Sequence, residues 1–253
     1  MKRYERVEIW GRVLHCFLQS FKGCTDSILS PEETIELLFR GKALIRFGDG
    51  EFGIYRKKNI HYQKWSPELQ AAFEAIKDEY EADYQHCSYL LAVPKKFLTV
   101  NGFRLMKKRV YVSSWAESRY DFKKNFRHDI LYGDSFLFEK SNKEVYSRIW
   151  KNEVCPENVI FIHNSEVYAE YFKNTYNKKI TFIQCPPRNS FEKLGELEAY
   201  VRNTIEENHW TPNDVMLTIS AGPAGKVLAF RMSKSGYWCI DAGHCWDDPL
   251  EGI

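Results

Sequence analysis

The chain has no run of apolar residues near the ~20 needed to cross a bilayer, which excludes a membrane-spanning helix within it. The apolar stretch near its start, Val13 to Leu18, is interrupted by His15 and too short for the core of a secretion signal. The cysteines at Cys16, Cys24, Cys87, Cys155, Cys185, Cys239 and Cys245 are odd in number, scattered, and form no CxxC pair. That argues against a zinc ribbon or a thioredoxin-type site; they read as reduced thiols of a cytosolic protein. Neither charge sign predominates. Lys and Arg number 36 against 34 Asp and Glu, leaving +2, too slight a basic footprint for a nucleic-acid partner. Internal repeats, low-complexity tracts and linker-like stretches are missing. So are the GxxxxGK[ST] phosphate loop and the GxSxG nucleophile elbow.

What is there is a globular composition: 253 residues, 44% hydrophobic, 15% aromatic and 28% charged. A chain of this length buries about 70–75% of its unfolded surface and needs no metal or disulfide to stay folded. The pattern predicts a single domain over 1–253, with an N-terminal amphipathic segment over 1–29 and a core over 30–245.

In the first segment Val7, Trp10, Leu14, Leu18 and Phe21 recur at helical spacing over residues 3–22. Lys2, Arg3, Arg6, Arg12 and Lys22 outnumber Glu5 and Glu8, giving +3. The plainer reading is a surface helix packed on the domain. The alternative is a basic amphipathic helix lying on an anionic membrane, which would put the protein at the inner face of that membrane.

A helix is predicted from Ser30 and Pro31, with Glu33 completing a capping box and Gly41 ending it. Strands are predicted at 43–47, 89–93, 159–162, 180–183, 215–219 and 237–240. Helices are predicted from Ser66 and Pro67 onward and at 166–176, 191–208 and 224–234. Residues 48–51 read as a break after the first strand. Residues 95–150, aromatic and basic, read as helices and loops without clear period. Strands separated by helical segments predict an open, mostly parallel, Rossmann-like α/β sheet with helices on both faces.

Ligands of such sheets bind beyond the carboxyl ends of the strands, so the polar residues just after each strand are the candidates. Asp49 and Glu51 follow the first strand. Two positions apart in an extended segment, they face the same way, and Gly48 and Gly50 permit a bend. Two hard oxygen ligands suit Mg²⁺ or Mn²⁺ with a substrate phosphate; the same residues also read as a Gly-Asp-Gly turn with a solvated glutamate. His163 and Asn164 follow a later strand. Ser220 to Lys226, containing Gly222 and Gly225, joins a strand to a helix whose N-terminus can hold a phosphate; it also reads as a tight packing turn. Asp241 and His244 close the last strand. His244 is a candidate metal ligand or base, and Asp241 a candidate partner for it or for a ribose hydroxyl.

Together, Leu44 to Phe52 (LIRFGDGEF), Ser220 to Ala229 and Gly236 to His244 resemble the GT-D-type glycosyltransferases, a family first catalogued as a domain of unknown function in bacterial surface-glycan and adhesin glycosylation clusters. Gly133-Asp134-Ser135-Phe136 and the stretch from Cys185 to Phe191 look like further landmarks of it. The resemblance implies a Rossmann-like fold, a nucleotide-sugar donor of the UDP type, and a saccharide, lipid-linked saccharide or glycoprotein acceptor. It also implies a divalent ion, Mn²⁺ or Mg²⁺, on Asp49 and Glu51, with His244 beside it as metal ligand or base. Arg46, Gly48, Ser220, Gly222, Gly225, Lys226 and Asp241 would then surround the donor. The end of the chain, Cys245 to Ile253, departs from the acidic-aromatic tail associated with the family. Trp115, Arg119 and Tyr120 are candidates for an acceptor cleft, although such aromatics equally suit a core. The same acidic motif also fits a metal-dependent phosphohydrolase or phosphoribosyl-type transferase. A non-catalytic scaffold in a glycan-assembly complex is a third reading, against which the intact D-G-E speaks. A homo-oligomer is compatible with all three.

Overall fold

The computed structural model describes residues 7, 10, 11, 14, 15, 18, 27–99 and 112–246. Seven strands form one sheet: β1 (Ala43–Arg46), β2 (Tyr89–Val93), β3 (Gly133–Asp134), β4 (Asn158–His163), β5 (Lys179–Gln184), β6 (Val215–Ile219) and β7 (Trp238–Asp241), in the order β3-β2-β1-β7-β6-β4-β5. Every pairing is parallel, from Ala43 beside Tyr89 to Ile219 beside Asp241. Strands buried on both faces need continuous apolar runs. Tyr89–Val93 and Val215–Ile219 are buried throughout, whereas the edge strand β5 is mostly half-exposed. The opposite edge is blunted by shortness, since β3 has two residues.

Among the described residues from 27 onward, the α-helices are α1 (Pro31–Leu38), α2 (Asp49–Tyr55), α3 (Pro67–Ala82), α4 (Lys95–Thr99), α5 (Val112–Asn125), α6 (Lys143–Lys151), α7 (Val167–Tyr176), α8 (Leu194–Glu207) and α9 (Gly222–Lys234). The chain steps outward from β1 to β3 on one side, then from β4 to β5 on the other, and returns to the centre with β6 and β7. Right-handed crossovers therefore send helices to both faces. Contacts agree: α9 packs on α3 and α8, and α1 packs on α6. The capping box of α1 forms as read, with Ser30 Oγ accepting from the Glu33 N–H at 3.1 Å and Glu33 accepting from the Ser30 N–H at 2.7 Å.

Three expectations change. Residues 48–51 are not a break, because α2 begins at Asp49. The acceptor-cleft candidates Trp115, Arg119 and Tyr120 belong to α5, where Arg119 is buried with its Nε–H donating to the Phe97 carbonyl at 3.2 Å and Trp115 packs on Phe97 at 5.0 Å. Of the N-terminal segment, the stripe Val7, Trp10, Leu14 and Leu18 is helical but exposed instead of packing on the domain, which the segment touches through the His15 ring, edge-on to Tyr120 at 5.7 Å; its basic residues lie outside the described residues. The start of the divergent tail is core. Trp246 is buried among Trp150, Phe161 and Phe172, with ring centroids 5.1–5.4 Å apart. Residues 247–253 lie outside the described residues.

Candidate active site

The carboxyl ends of β1, β7 and β6 meet at the centre of the sheet, where the winding direction reverses, and a cavity of about 960 Å³ opens there. Its floor is a chain of alternating charges. Arg46 ends β1. Its backbone N–H donates to Asp241 Oδ2 at 3.0 Å and its Nε–H to the Asp241 carbonyl at 2.7 Å; Nη1 donates to the Ser135 carbonyl at 2.9 Å, and the guanidinium lies 4.9 Å from the Phe138 ring centroid. Arg46 thereby ties β1 to the ends of β7 and β3.

Lys226, on the first turns of α9, is buried with Nζ 3.3 Å from Asp241 Oδ2 and 3.4 Å from Glu51 Oε1. Burial alone would lower its pKa, but the Asp241 and Glu51 charges outweigh burial and raise it, so it stays an ammonium. Asp241 Oδ1 is buried without a hydrogen bond, 4.0 Å from Arg46 Nη2.

Asp49 and Glu51 do not stand on an extended segment. Both sit on the first turn of α2, where residues two apart point to different sides. Glu51 turns back, accepting the Gly48 N–H at 2.7 Å, and is buried against Lys226. Asp49 stays exposed on the cavity wall, with Oδ1 accepting from the Gly50 N–H at 3.0 Å. Gly48 has a packing reason as well, since a Cβ there would lie 3.3 Å from Glu51 Oε2.

Of the other residues read from the sequence, Ser220, Gly222 and His244 line the cavity, as do His163 and Asn164. Ser220 Oγ accepts from Trp246 Nε1–H at 3.1 Å. Gly222 has φ +54°, and a Cβ there would meet the Tyr62 ring at 2.8 Å. Gly225 and Asp241 are absent from the wall. Gly225 is a packing position whose Cβ would lie 2.7 Å from Ile219 Cγ2. Gly243 has φ +53° and lies against the Arg46 guanidinium, where an added Cβ would fall 1.9 Å from Nη2. Trp115, Arg119 and Tyr120 are not among the lining residues. The aromatic end of the cavity is instead Phe97, Phe136 and Phe138. Cys185 is a wall residue whose thiol burial pushes up to about 11, which keeps it protonated.

Tyr62 was not legible as a site residue. Its ring meets His244 edge-on at 5.9 Å and covers Gly222. Burial, then the Glu51 charge, push its phenol up to about 12. The available signal was indirect: Gly50 and Gly222 leave room, filled here by Ile60 and Tyr62.

The donor set bears on a metal. Among the described residues no three His, Cys, Asp or Glu side chains converge to hold an ion. Asp49, Glu51 and His244 share a cavity without forming a three-ligand cluster, and Glu51 is already paired with Lys226. Asp49 does fit a Mg²⁺ or Mn²⁺ that takes one protein carboxylate and completes its shell with phosphate oxygens and water.

A family model described as Glycosyltransferase GT-D fold matches residues 44–248. The chain belongs to the GT-D-fold glycosyltransferases. It is 25% identical over 230 residues to "Probable glycosyl transferase Gly" of Streptococcus gordonii, covering 86% of this chain and 32% of that protein. It is 24% identical over 236 residues to "Glycosyltransferase GlyD" of Streptococcus pneumoniae, covering 84% of this chain and 26% of that protein. The chain thus spans about a third or less of these curated relatives. A solved structure of domain of unknown function 1792 matches with TM-score 0.72 at 19% identity, over 94% of this chain and 84% of that one, a likeness of fold. The GT-D match takes in all seven strands apart from the first residue of β1, and every cavity residue named above.

Proposed function

We propose that this GT-D chain transfers a sugar from a UDP-sugar to a saccharide acceptor with the help of a divalent ion held at Asp49. The observation that carries the reading is the charge balance of the cavity floor. Arg46 and Lys226 offset Glu51 and Asp241, so the floor is neutral and fixed, while the Asp49 carboxylate on the wall has no ion pair among the described residues. A diphosphate placed here gains from the Arg46 guanidinium and from the first turn of α9, whose N-cap Ala221 offers no side-chain acceptor for the N–H groups. It is also repelled by Asp49, unless a cation lies between them. A bound Mg²⁺ or Mn²⁺ would supply Lewis-acid stabilisation of the leaving diphosphate.

The chain's own residues do the rest. The bond between the sugar's anomeric carbon and the phosphate oxygen breaks, an acceptor hydroxyl oxygen bonds to that carbon in its place and gives up its proton to solvent, and negative charge gathers on the departing diphosphate. Arg46, held by its bonds to Asp241 and Ser135, meets that charge without reorganising. Phe136, half-exposed on the wall, offers a flat apolar face that suits the C–H face of an acceptor sugar, and the Tyr62 phenol stays protonated as a donor.

The test is donor binding by calorimetry and donor hydrolysis, with and without MnCl₂, on wild type and Asp49→Asn. Mn²⁺-dependent UDP-sugar binding and hydrolysis that fall about 100-fold or more in the variant are expected. Full activity of Asp49→Asn in EDTA would overturn the reading.

A further inference from the structure

The loop between α2 and α3 contributes Ile60 and Tyr62 to the cavity wall. Hydrogen bonds fix its shape. Asn59 Oδ1 accepts the Trp65 N–H at 2.8 Å, and the Ile60 N–H donates to the Gln63 carbonyl at 2.8 Å. The Asn189 N–H donates to the Tyr62 carbonyl at 2.8 Å, and the Phe191 N–H to Oε1 of the buried Gln63 at 3.1 Å. Ile60 fills the space beside Gly50. Backbone groups and the side chains of Asn59, Ile60 and Gln63 do all of this. The Tyr62 ring packs on Gly222 and meets His244 edge-on, contacts that a phenylalanine ring would make equally well. The hydroxyl is left over: it has no hydrogen-bond partner among the described residues.

Its position gives it a use. A Cβ added at Gly222 would lie 2.8 Å from Tyr62 Cε2 and 3.9 Å from Cζ, the atom that carries the hydroxyl. Gly222 opens α9, so the phenol stands beside the N-terminus of that helix. The charges that act on it are those of Glu51, Lys226, Asp241 and Asp49, the floor and wall of the same cavity. Phenols are protonated at neutral pH. A half-buried O–H without an internal acceptor, next to helix N–H groups without a side-chain cap, suits an anionic oxygen.

Resting on the UDP-sugar reading above, the geometry points to Tyr62 as a further catalytic residue, whose hydroxyl donates a hydrogen bond to a phosphate oxygen of the donor. The phenol keeps its proton throughout. As the bond to the anomeric carbon breaks, charge grows on the diphosphate, so this hydrogen bond is stronger in the transition state than in the bound donor.

The experiment compares wild type with Tyr62→Phe, which deletes the hydroxyl and keeps the ring. UDP-sugar hydrolysis is followed with MnCl₂ present, and UDP and uridine are titrated as competitive inhibitors. Calorimetry with UDP and thermal melts accompany the kinetics. Turnover should fall about 10–100-fold and UDP inhibition should weaken about ten-fold. Uridine inhibition should be unchanged, and the melting temperature should stay within about 2 °C, because no internal bond is lost. Three results overturn the assignment: turnover and UDP inhibition equal to wild type; UDP and uridine weakened together, which puts the contact on the nucleoside; or a melting temperature that falls in step with activity, which makes the role one of packing. Wild type that neither binds UDP nor hydrolyses a UDP-sugar would overturn the donor reading, and the assignment with it. Wild type that does both, beside an unaltered Tyr62→Phe, overturns the assignment alone.

Discussion

Methionine in place of Lys226 keeps an unbranched side chain of similar length and removes the ammonium from between two buried carboxylates. At 3.3 and 3.4 Å, each ion pair corresponds to about 5 kcal/mol of attraction at an effective dielectric of 20. Desolvation of the ammonium cancels much of that, but the carboxylates stay buried once it is gone, and breaking such a network costs about 3–5 kcal/mol. At about 2–4 °C per kcal/mol for a chain of this size, the melting temperature should fall by roughly 6–20 °C. Circular dichroism melts of Lys226→Met, Glu51→Gln and the double variant measure this. The double variant should be less destabilised than the two singles combined, by about 1–3 kcal/mol, because neutralising Glu51 removes a charge that nothing then balances. The pH dependence has a definite sign. The folded pKa of Lys226 is raised above its unfolded value, so its contribution is complete below about pH 10.4 and is lost as pH climbs through the raised value. Wild type should show this alkaline loss and Lys226→Met should not. A Lys226→Met melt within about 2 °C of wild type, with an additive cycle, would refute the reasoning.

Gly243→Ala must push the Arg46 guanidinium off its carbonyl partners, so donor affinity by calorimetry should fall by about 1.5–3 kcal/mol, the worth of charged hydrogen bonds; unchanged affinity would show that Arg46 can relocate freely. Gly222→Val forces a β-branched residue to φ +54° against Tyr62, and both stability and donor affinity should drop, by about 1–2 kcal/mol for the backbone alone. Burial raises the pKa of Asp134 against the opposing N–H groups of Phe136 and Lys95. Wild-type stability should therefore decline as pH rises from about 3.9 through the raised value, and Asp134→Asn should flatten that decline in urea titrations without loss of stability at pH 7.

The sheet was readable because its strands carry the signal that two-sided burial demands: unbroken apolar runs closed by polar or glycine residues. The helix at Asp49 was not. Two glycines in seven residues imitate a turn, and the telling feature, Glu51 three residues after Gly48, completes only the returning half of a capping box. β3 is too short to leave a periodic trace. Within the site, Lys226 was visible on a glycine-rich turn and Asp241 at the end of a strand, while Arg46, inside the predicted strand 43–47, entered only through the family resemblance. Their mutual pairing was not visible, because Arg46 and Asp241 lie 195 positions apart and meet only through the adjacency of β1 and β7. The acceptor cleft was sought in Trp115, Arg119 and Tyr120 on richness in aromatics. That richness served the packing of α5 on α2 and α4 instead.

The wiring of the floor follows from the topology. Arg46 and Asp241 end neighbouring strands, Glu51 opens the helix leaving β1, and Lys226 sits on the helix leading into β7, so every charge comes from an element that the reversal of winding brings to one point. A floor neutralised by its own members cannot respond to a ligand without breaking buried pairs, so the adjustable charge in the wiring is the exposed carboxylate of Asp49. If Asp49 both repels a bare diphosphate and recruits the cation that reverses this repulsion, Asp49→Asn should separate two quantities that move together in wild type. Metal-free UDP affinity should hold or rise, as the repulsion is gone. The gain on adding Mn²⁺ should disappear, and by reciprocity UDP should no longer tighten Mn²⁺. A purely structural role for Asp49 would instead lower both affinities in step with the melting temperature, so the sign of the metal-free change separates the two accounts.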